Sequence, residues 1–75
     1  MRDDLFTRVV AASGLSSIFA ERAIERALRR AGLDPDTFTR AELKRGLPEL
    51  ERVLGTFMGP DDVGARIARI KRLGE

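Results

Sequence analysis

Residues 37–58 read TFTRAELKRGLPELERVLGTFM, and this stretch decides the fold class. Its start matches a capping box, in which the side chains of Thr39 and Glu42 each accept a hydrogen bond from the backbone N–H of the other residue. Phe38 and Leu43 occupy the two positions of a hydrophobic staple, which fixes the direction in which the chain enters a helix. These residues predict a helix that begins immediately after Thr39.

The apolar residues of this stretch keep one helical phase across the segment Gly46-Leu47-Pro48. A proline at this position removes one hydrogen bond of the helix ladder, and its ring clashes one turn back. An intervening loop would have no reason to preserve the phase, so we favour one kinked helix over residues 40–58, with two abutting helices as the alternative. The residues in phase are Leu43, Leu47, Leu50, Val53, Leu54, Phe57 and Met58.

Two helices are predicted before this stretch. The first covers residues 3–13, whose apolar side chains recur at helical spacing, and Gly14 follows with the left-handed freedom that ends a helix. The second begins after an N-cap serine, Ser16 or Ser17, and runs to Ala31. Its apolar face is expected to consist of Ala20, Ala23, Ile24, Ala27, Leu28 and Ala31.

Glycine and proline mark the remaining helix ends. Gly32 followed by Leu33 is typical of a Schellman ending, in which a left-handed residue turns the chain and the next apolar side chain folds back on the last turn. Residues 34–36, with the sequence Asp-Pro-Asp, predict a tight turn or one turn of 3₁₀ helix. A last helix is predicted from Pro60, which suits the first helical position, to Gly74. Its buried stripe is expected to be Val63, Ile67 and Ile70.

The chain has 75 residues, which suits one small domain with one core. No alternating strand pattern is present, so the predicted fold class is all-α: a single compact bundle of four short helices over residues 1–75, or five if Pro48 splits the third. A chain this short buries only about 60 % of the surface that it exposes when unfolded, so association is a common source of further stability. Its longest apolar run, residues 9–12, is too short for a signal or membrane segment, so we expect a cytoplasmic location.

The composition excludes most catalytic chemistry. Cysteine, histidine, tryptophan and tyrosine are absent, which removes thiol nucleophiles, disulfides, imidazole bases and zinc sites built on Cys or His. The acidic pairs Asp34/Asp36 and Asp61/Asp62 lack the spacing of a calcium loop, and turn or cap roles explain all four. We therefore expect no enzymatic activity, no metal, no cofactor and no small-molecule substrate.

Arginine supplies most of the positive charge. The chain has 14 basic and 12 acidic side chains, and its net charge of +2 is far from the excess of a nucleic-acid coat protein. One face of the second helix carries four arginines, named here the arginine stripe: Arg22, Arg26, Arg29 and Arg30. We favour a solvated helix face, supported by an i,i+4 pair of Glu25 with Arg29, and the alternative is a contact for phosphate or an acidic partner.

A second basic cluster lies on the last predicted helix. It has few acids nearby, and it consists of Arg66, Arg69, Lys71 and Arg72. Here too we favour a solvated helix end, in which the basic side chains complement the helix dipole. Neither cluster is interleaved with the exposed aromatic residues on which single-strand-binding proteins stack bases.

Large apolar side chains raise the question of a partner. Ile18 and Phe19 lie off the buried stripe at the start of the second helix. We favour packing of both against the first helix, with an exposed patch for a partner as the alternative. Apolar side chains such as Phe6, Phe19, Phe57 and Met58 exceed what four short helices easily cover, so we expect the chain to form dimers or larger species in the micromolar range.

Residues 4–28, DLFTRVVAASGLSSIFAERAIERAL, resemble the N-terminal helical hairpin of the histone-like nucleoid proteins of the HU and integration-host-factor family. The shared features are Leu5, Val9, the turn Gly14-Leu15-Ser16, Ala20-Glu21 and Ala23-Ile24. That family continues into a sheet and two β-arms that grip the minor groove, whereas this chain continues into the capping box and a leucine-rich helix. The resemblance therefore implies a helical hairpin and does not extend to DNA binding.

Together these patterns predict a non-catalytic helical module for protein–protein interaction or oligomerisation, such as an adaptor in a bacterial-type assembly. Its partner is expected to be another protein or a second copy, docked on helix faces without a membrane. The alternative is a small nucleic-acid-associated helical protein that places its arginine-rich faces on phosphates. The candidate partner-binding residues are Phe19, Arg22, Arg26, Arg29, Arg30, Arg66, Arg69 and Arg72.

Overall fold

A computed structural model describes residues 4–75 of the chain. It contains the helices α1 (Asp4–Ser13), α2 (Ser17–Arg30), α3 (Arg40–Leu54) and α4 (Pro60–Leu73). No strand occurs within residues 4–75, so the predicted all-α bundle of four helices is confirmed. Asp3, the predicted first residue of the first helix, lies outside the described residues.

The four helices pack in a ring around one core. α1 packs against α2 and α4, and α3 packs against the same two helices. Each helix turns its apolar stripe toward the centre of the ring, while residues at the edges of the stripes, such as Ala23, Val53 and Ile67, stay half-buried. The core consists of Phe6, Val9, Ile24, Ala27, Leu28, Leu33, Phe38, Leu43, Leu50, Leu54, Val63 and Ile70.

The start of α3 has the predicted geometry. The backbone N–H of Glu42 donates to Oγ1 of Thr39 at 3.2 Å, and the backbone N–H of Thr39 donates to Oε1 of Glu42 at 2.9 Å. The staple residues Phe38 and Leu43 are both buried in the core. The capping box and the staple are therefore confirmed, and together they fix where α3 enters the bundle.

One helix passes through Pro48, as favoured, but it ends at Leu54 and not at Met58. Pro48 lies on the exposed face of α3, and so does Lys44, whose carbonyl loses its ladder partner. Beyond Leu54 the chain tightens into a turn: Thr56 donates its backbone N–H to the carbonyl of Val53 at 3.1 Å, and its hydroxyl donates to the same carbonyl at 2.7 Å. This local bonding competes with the helix ladder and ends α3 early.

The end of α2 is the predicted Schellman motif. Gly32 has a φ of +82°, and its N–H donates to the carbonyl of Arg29 at 3.0 Å. The N–H of Leu33 donates to the carbonyl of Leu28 at 2.9 Å, and both leucine side chains are buried in the core. The left-handed glycine therefore turns the chain toward α3 while Leu33 closes the end of the core.

Gly46 has a role that the sequence did not reveal. It is buried in α3, and a Cβ atom built on it would lie 3.2 Å from Cδ2 of Leu28 and 3.3 Å from Cδ1 of Leu33. The missing side chain lets α3 approach the end of α2 closely. Gly46 is therefore a packing residue in the interface between α2 and α3, and the helix continues through it.

Candidate interaction surfaces

The arginine stripe is exposed along the length of α2. All four of its arginines are exposed, and together with Glu25 they surround an open depression of about 510 Å³. Nη2 of Arg29 lies 4.0 Å from Oε2 of Glu25. This is the predicted i,i+4 ion pair, at a distance where the attraction is weak. Among the described side chains, no carboxylate lies within ion-pairing distance of Arg22, Arg26 or Arg30. The stripe therefore offers cations that the rest of the described chain does not neutralise.

A groove runs along the junction of α2 and α3, and we name it the seam groove. Its volume is about 310 Å³. Ala23 and Val53 are half-buried, Phe57 has 52 % of its surface exposed, and arginines stand along the edges. The lining residues are Ala23, Arg26, Arg30, Arg52, Val53, Thr56 and Phe57. The seam groove thus shares Arg26 and Arg30 with the arginine stripe.

The favoured packing of Ile18 and Phe19 against the first helix is wrong. Their exposed fractions are 73 % and 67 %. The face of α2 that packs into the core is the one with Ala20 and Ile24, so Ile18 and Phe19 stay in solvent. Phe19 precedes Ala23 by four residues and therefore lies on the face of α2 that lines the seam groove. Ile18 lies on a different face, about 100° away around the helix.

The aromatic residues divide between core and surface. Phe6 is buried in the core, so it is not part of an apolar excess, and Met58 packs partly against the core. Phe57 remains exposed beside Arg26 and Arg30 in the seam groove. Neither basic cluster is interleaved with aromatic residues in the sequence, but tertiary packing brings the exposed Phe57 to α2 from a distant part of the chain.

A second groove lies between the end of α3 and the start of α4. Its volume is about 270 Å³, and Met58 and Val63 supply its apolar surface. Glu51 is the charged residue in its lining, and no arginine or lysine is part of it. The two grooves therefore differ in the sign of the charge at their edges.

Arg66 differs from the other members of the second basic cluster. It is half-buried, whereas Arg69, Lys71 and Arg72 are exposed. Its guanidinium lies over Gly14, where an added Cβ atom would come within 2.7 Å of Cζ of Arg66. A cation at the end of α1 complements the negative end of the helix dipole. Arg66 therefore has a structural role, because its guanidinium packs α4 against the end of α1.

The acidic residues of the turn before α3 and of the start of α4, and the hydroxyl of Ser13, have structural roles. Oδ1 of Asp34 accepts a hydrogen bond from the backbone N–H of Asp36 at 2.9 Å, which is the predicted turn. Asp61 and Asp62 lie in the first turn of α4 at the positive end of its dipole. The hydroxyl of Ser13 is buried and donates to the carbonyl of Val10 at 2.6 Å. These bonds explain the residue types without a ligand.

Comparison with known proteins does not identify a family for this chain. No protein-family model, curated protein or solved structure matches this chain. Within residues 4–75 there is also no strand that corresponds to the β-arms of the nucleoid proteins. The resemblance of residues 4–28 to those proteins therefore stays a local similarity of one helical hairpin.

Residues 4–75 contain no helix that is long and apolar enough to span a membrane. The seam groove includes residues that the sequence did not single out, namely Arg52, Val53, Thr56 and Phe57. Gly55 is the residue from which the sequence could have indicated this exposure. A glycine after Leu54 favours a helix end there, so Phe57 no longer follows the helical periodicity of the buried residues.

Proposed function

We propose that this chain is a non-catalytic helical interaction module that binds another protein on the side formed by α2 and the end of α3. The observation that carries the proposal is the exposure of Phe19 and Phe57, at 67 % and 52 %, on the side where Arg26, Arg30 and Arg52 line the seam groove. Aromatic residues and arginine are enriched at protein interfaces and supply most of their binding energy.

The completeness of the core supports this proposal. All four helices contribute to the core cluster, and neither Phe19 nor Phe57 belongs to it. Exposed apolar side chains that share one face with polar residues around them are typical of interaction sites. The cytoplasmic location and the absence of catalysis stay predictions from the sequence.

Site-specific photocrosslinking tests the proposal. We would replace Phe19 or Phe57 with a benzophenone amino acid, one at a time, and irradiate the cells that produce the chain. The matched controls carry the crosslinker at the exposed positions Thr7 on α1 and Ala68 on α4. We expect discrete adducts from positions 19 and 57 and much weaker ones from the controls. Equal adduct yields at all four positions would contradict the proposal.

Nucleic acid is the alternative partner, since the arginine stripe is exposed and Phe57 lies near it. Fluorescence anisotropy with labelled duplex and single-stranded oligonucleotides tests it. An affinity that falls as a power of the salt concentration would support phosphate binding. The absence of binding at low salt would remove this alternative and leave the protein-binding proposal in place.

A further inference from the structure

The seam groove combines an apolar floor with a basic edge, and these two features together specify a kind of partner. We infer that the seam groove is the docking site for an acidic amphipathic helix of another protein. Its apolar side chains would lie on Ala23, Val53 and Phe57, and its carboxylates would bind Arg26, Arg30 and Arg52. The inference rests on the proposed function and adds the chemistry of the partner.

The floor of the seam groove is shaped to receive the side chains of a partner. Its volume of about 310 Å³ lies at the lower limit of small-molecule pockets, which span about 300–1,000 Å³. Ala23 leaves space on α2, Val53 supplies an aliphatic surface on α3, and Phe57 forms a wall where the chain leaves α3. A trough between two helices is the surface that a third, amphipathic helix fills with residues at i, i+3, i+4 and i+7.

The two helices that form the groove run in opposite directions. Gly46 approaches Leu28, whereas Phe57 lines the groove together with Ala23. Later residues of α3 therefore lie beside earlier residues of α2. Phe19 lies one turn before Ala23 on α2 and extends the apolar face of the groove beyond Phe57. The apolar strip is thus longer than the groove itself, as a helix of several turns requires.

The edge of the groove is positively charged. Arg26 and Arg30 come from α2 and Arg52 comes from α3, and no carboxylate is part of the lining. Among the described side chains, none of these three guanidinium groups has an ion pair. Arginine binds carboxylates through two parallel hydrogen bonds, so three free guanidinium groups around an apolar floor favour an acidic partner.

The acidic residues nearest in sequence do not neutralise this edge. Glu25 pairs with Arg29 on the neighbouring face of α2, and Glu51 lines the second groove. Glu49 precedes Arg52 by one turn, but its Oε2 atom is shielded from solvent, has no hydrogen-bond partner and makes no ion pair with Arg52. The positive edge is therefore available to carboxylates from outside the chain.

The same features count against the other occupants. A second copy docked symmetrically on this face would bring the arginines of both copies together, and like charges across an interface are unfavourable. A nucleic acid would use the arginines and could stack a base on Phe57, but it would leave the aliphatic surface of Ala23 and Val53 without an apolar contact. An acidic helix uses both the floor and the edge.

Binding of designed peptides to the full chain tests this inference. The probe is a stapled helix of about 15 residues, four turns, with leucine at i, i+3, i+4 and i+7 and glutamate on both flanks. A matched peptide has lysine at every glutamate position, and a third has the acidic composition in a scrambled order. We expect micromolar binding of the acidic amphipathic peptide, weakened by salt, and at least about tenfold weaker binding of the other two.

Charge variants of the chain locate the binding site. The triple variant Arg26→Gln, Arg30→Gln and Arg52→Gln should bind the acidic peptide at least about tenfold more weakly, because all three carboxylate contacts are lost. The matched control has the same loss of charge at exposed positions away from the groove, namely Arg8→Gln, Arg40→Gln and Lys44→Gln. Its affinity should change by less than about threefold.

Apolar variants test the floor in the same way. Phe57→Ala should weaken binding by at least about tenfold, since an aromatic side chain at an interface centre is a typical hot spot. Ile18→Ala removes a large side chain that is also exposed but lies off the groove, and its affinity should stay within about twofold. Circular dichroism confirms that every variant has the helical content of the parent.

Several results would overturn the inference. They are equal binding of the acidic and basic peptides, equal losses in the two charge variants, or displacement of the acidic peptide from the groove by an oligonucleotide with higher affinity. If the peptide fails while position 57 still crosslinks to a protein, the partner is not an acidic helix and the interaction module stands. If both experiments fail, the proposed function fails as well.

Discussion

Single residues fix the start of α3 and the end of α2, because they let backbone groups that the helix ladder leaves free find partners. Thr39 and Glu42 occupy two such N–H groups at the start of α3. Gly32 allows two N–H groups to reach carbonyls at the end of α2, since its φ of +82° is accessible to glycine at no steric cost. These effects act within four residues, so each one can be tested by one substitution.

The first prediction concerns the capping box and the staple. Thr39→Ala should lower the free energy of unfolding by about 1 kcal/mol, because an N–H of the first turn loses its acceptor. Phe38→Ala should lower it by about 3–5 kcal/mol, since it removes a buried aromatic side chain. Urea denaturation followed by circular dichroism measures both. Thr37→Ala, at an exposed turn position, is the control, and equal stabilities of the Thr37 and Thr39 variants would contradict the cap assignment.

At the scale of the element, close approach decides how α2 and α3 pair. Glycine inside a helix costs about 1 kcal/mol relative to alanine, yet Gly46 lies in the middle of α3. The cost is offset because the bare backbone admits the methyl groups of Leu28 and Leu33. The same approach positions the seam groove, because it sets the distance between the two helices that form the groove.

The second prediction follows from this contact. Gly46→Val should lower the free energy of unfolding by about 1–3 kcal/mol, because the added methyl groups overlap side chains that the core already holds in place. Gly64→Val is the matched control: it lies in α4, where a Cβ atom meets nothing within 4 Å, and it should be neutral or stabilising. Thermal melts compare the two variants. Equal effects of both would mean that α2 and α3 do not meet closely at Gly46.

At the scale of the whole molecule, the ring of helices forms two grooves whose linings differ in charge. Arginines dominate the side formed by α2 and the end of α3, whereas Glu51 lies in the groove between α3 and α4. The net charge is only +2, so this asymmetry comes from the placement of the charges and not from their sum. Apolar and electrostatic forces therefore act against each other when two copies meet on the basic side.

The third prediction concerns this opposition. Repulsion between arginines should hold association of two copies through Phe19 and Phe57 below the micromolar affinity expected from the sequence at low salt, and this association should strengthen as salt is raised, because salt screens that repulsion. Binding of an acidic helix should weaken over the same range. Sedimentation equilibrium at low and high salt measures the first effect. Self-association that weakens with salt would indicate attractive charges between copies and would contradict this description of the surface.

Much of the secondary structure follows from the sequence by itself, because its causes are local. The capping box at Thr39, the Schellman ending at Gly32 and the proline start at Pro60 involve neighbours within a few residues, and the buried stripes follow from helical periodicity. The end of α3 was missed because the bonding of Thr56 to the carbonyl of Val53 competes with a phase that continues to Met58.

The tertiary structure alone decided which residues meet across helices, since such contacts depend on how all four stripes close around one core. Phe57 reaches Ala23 and Arg26, although more than 30 residues separate them in the sequence. Phe19 is exposed because α2 turns a different face to the core, and Arg66 finds Gly14 because α1 and α4 are neighbours in the ring. Periodicity predicts that a face is apolar, but only packing determines whether another helix covers it.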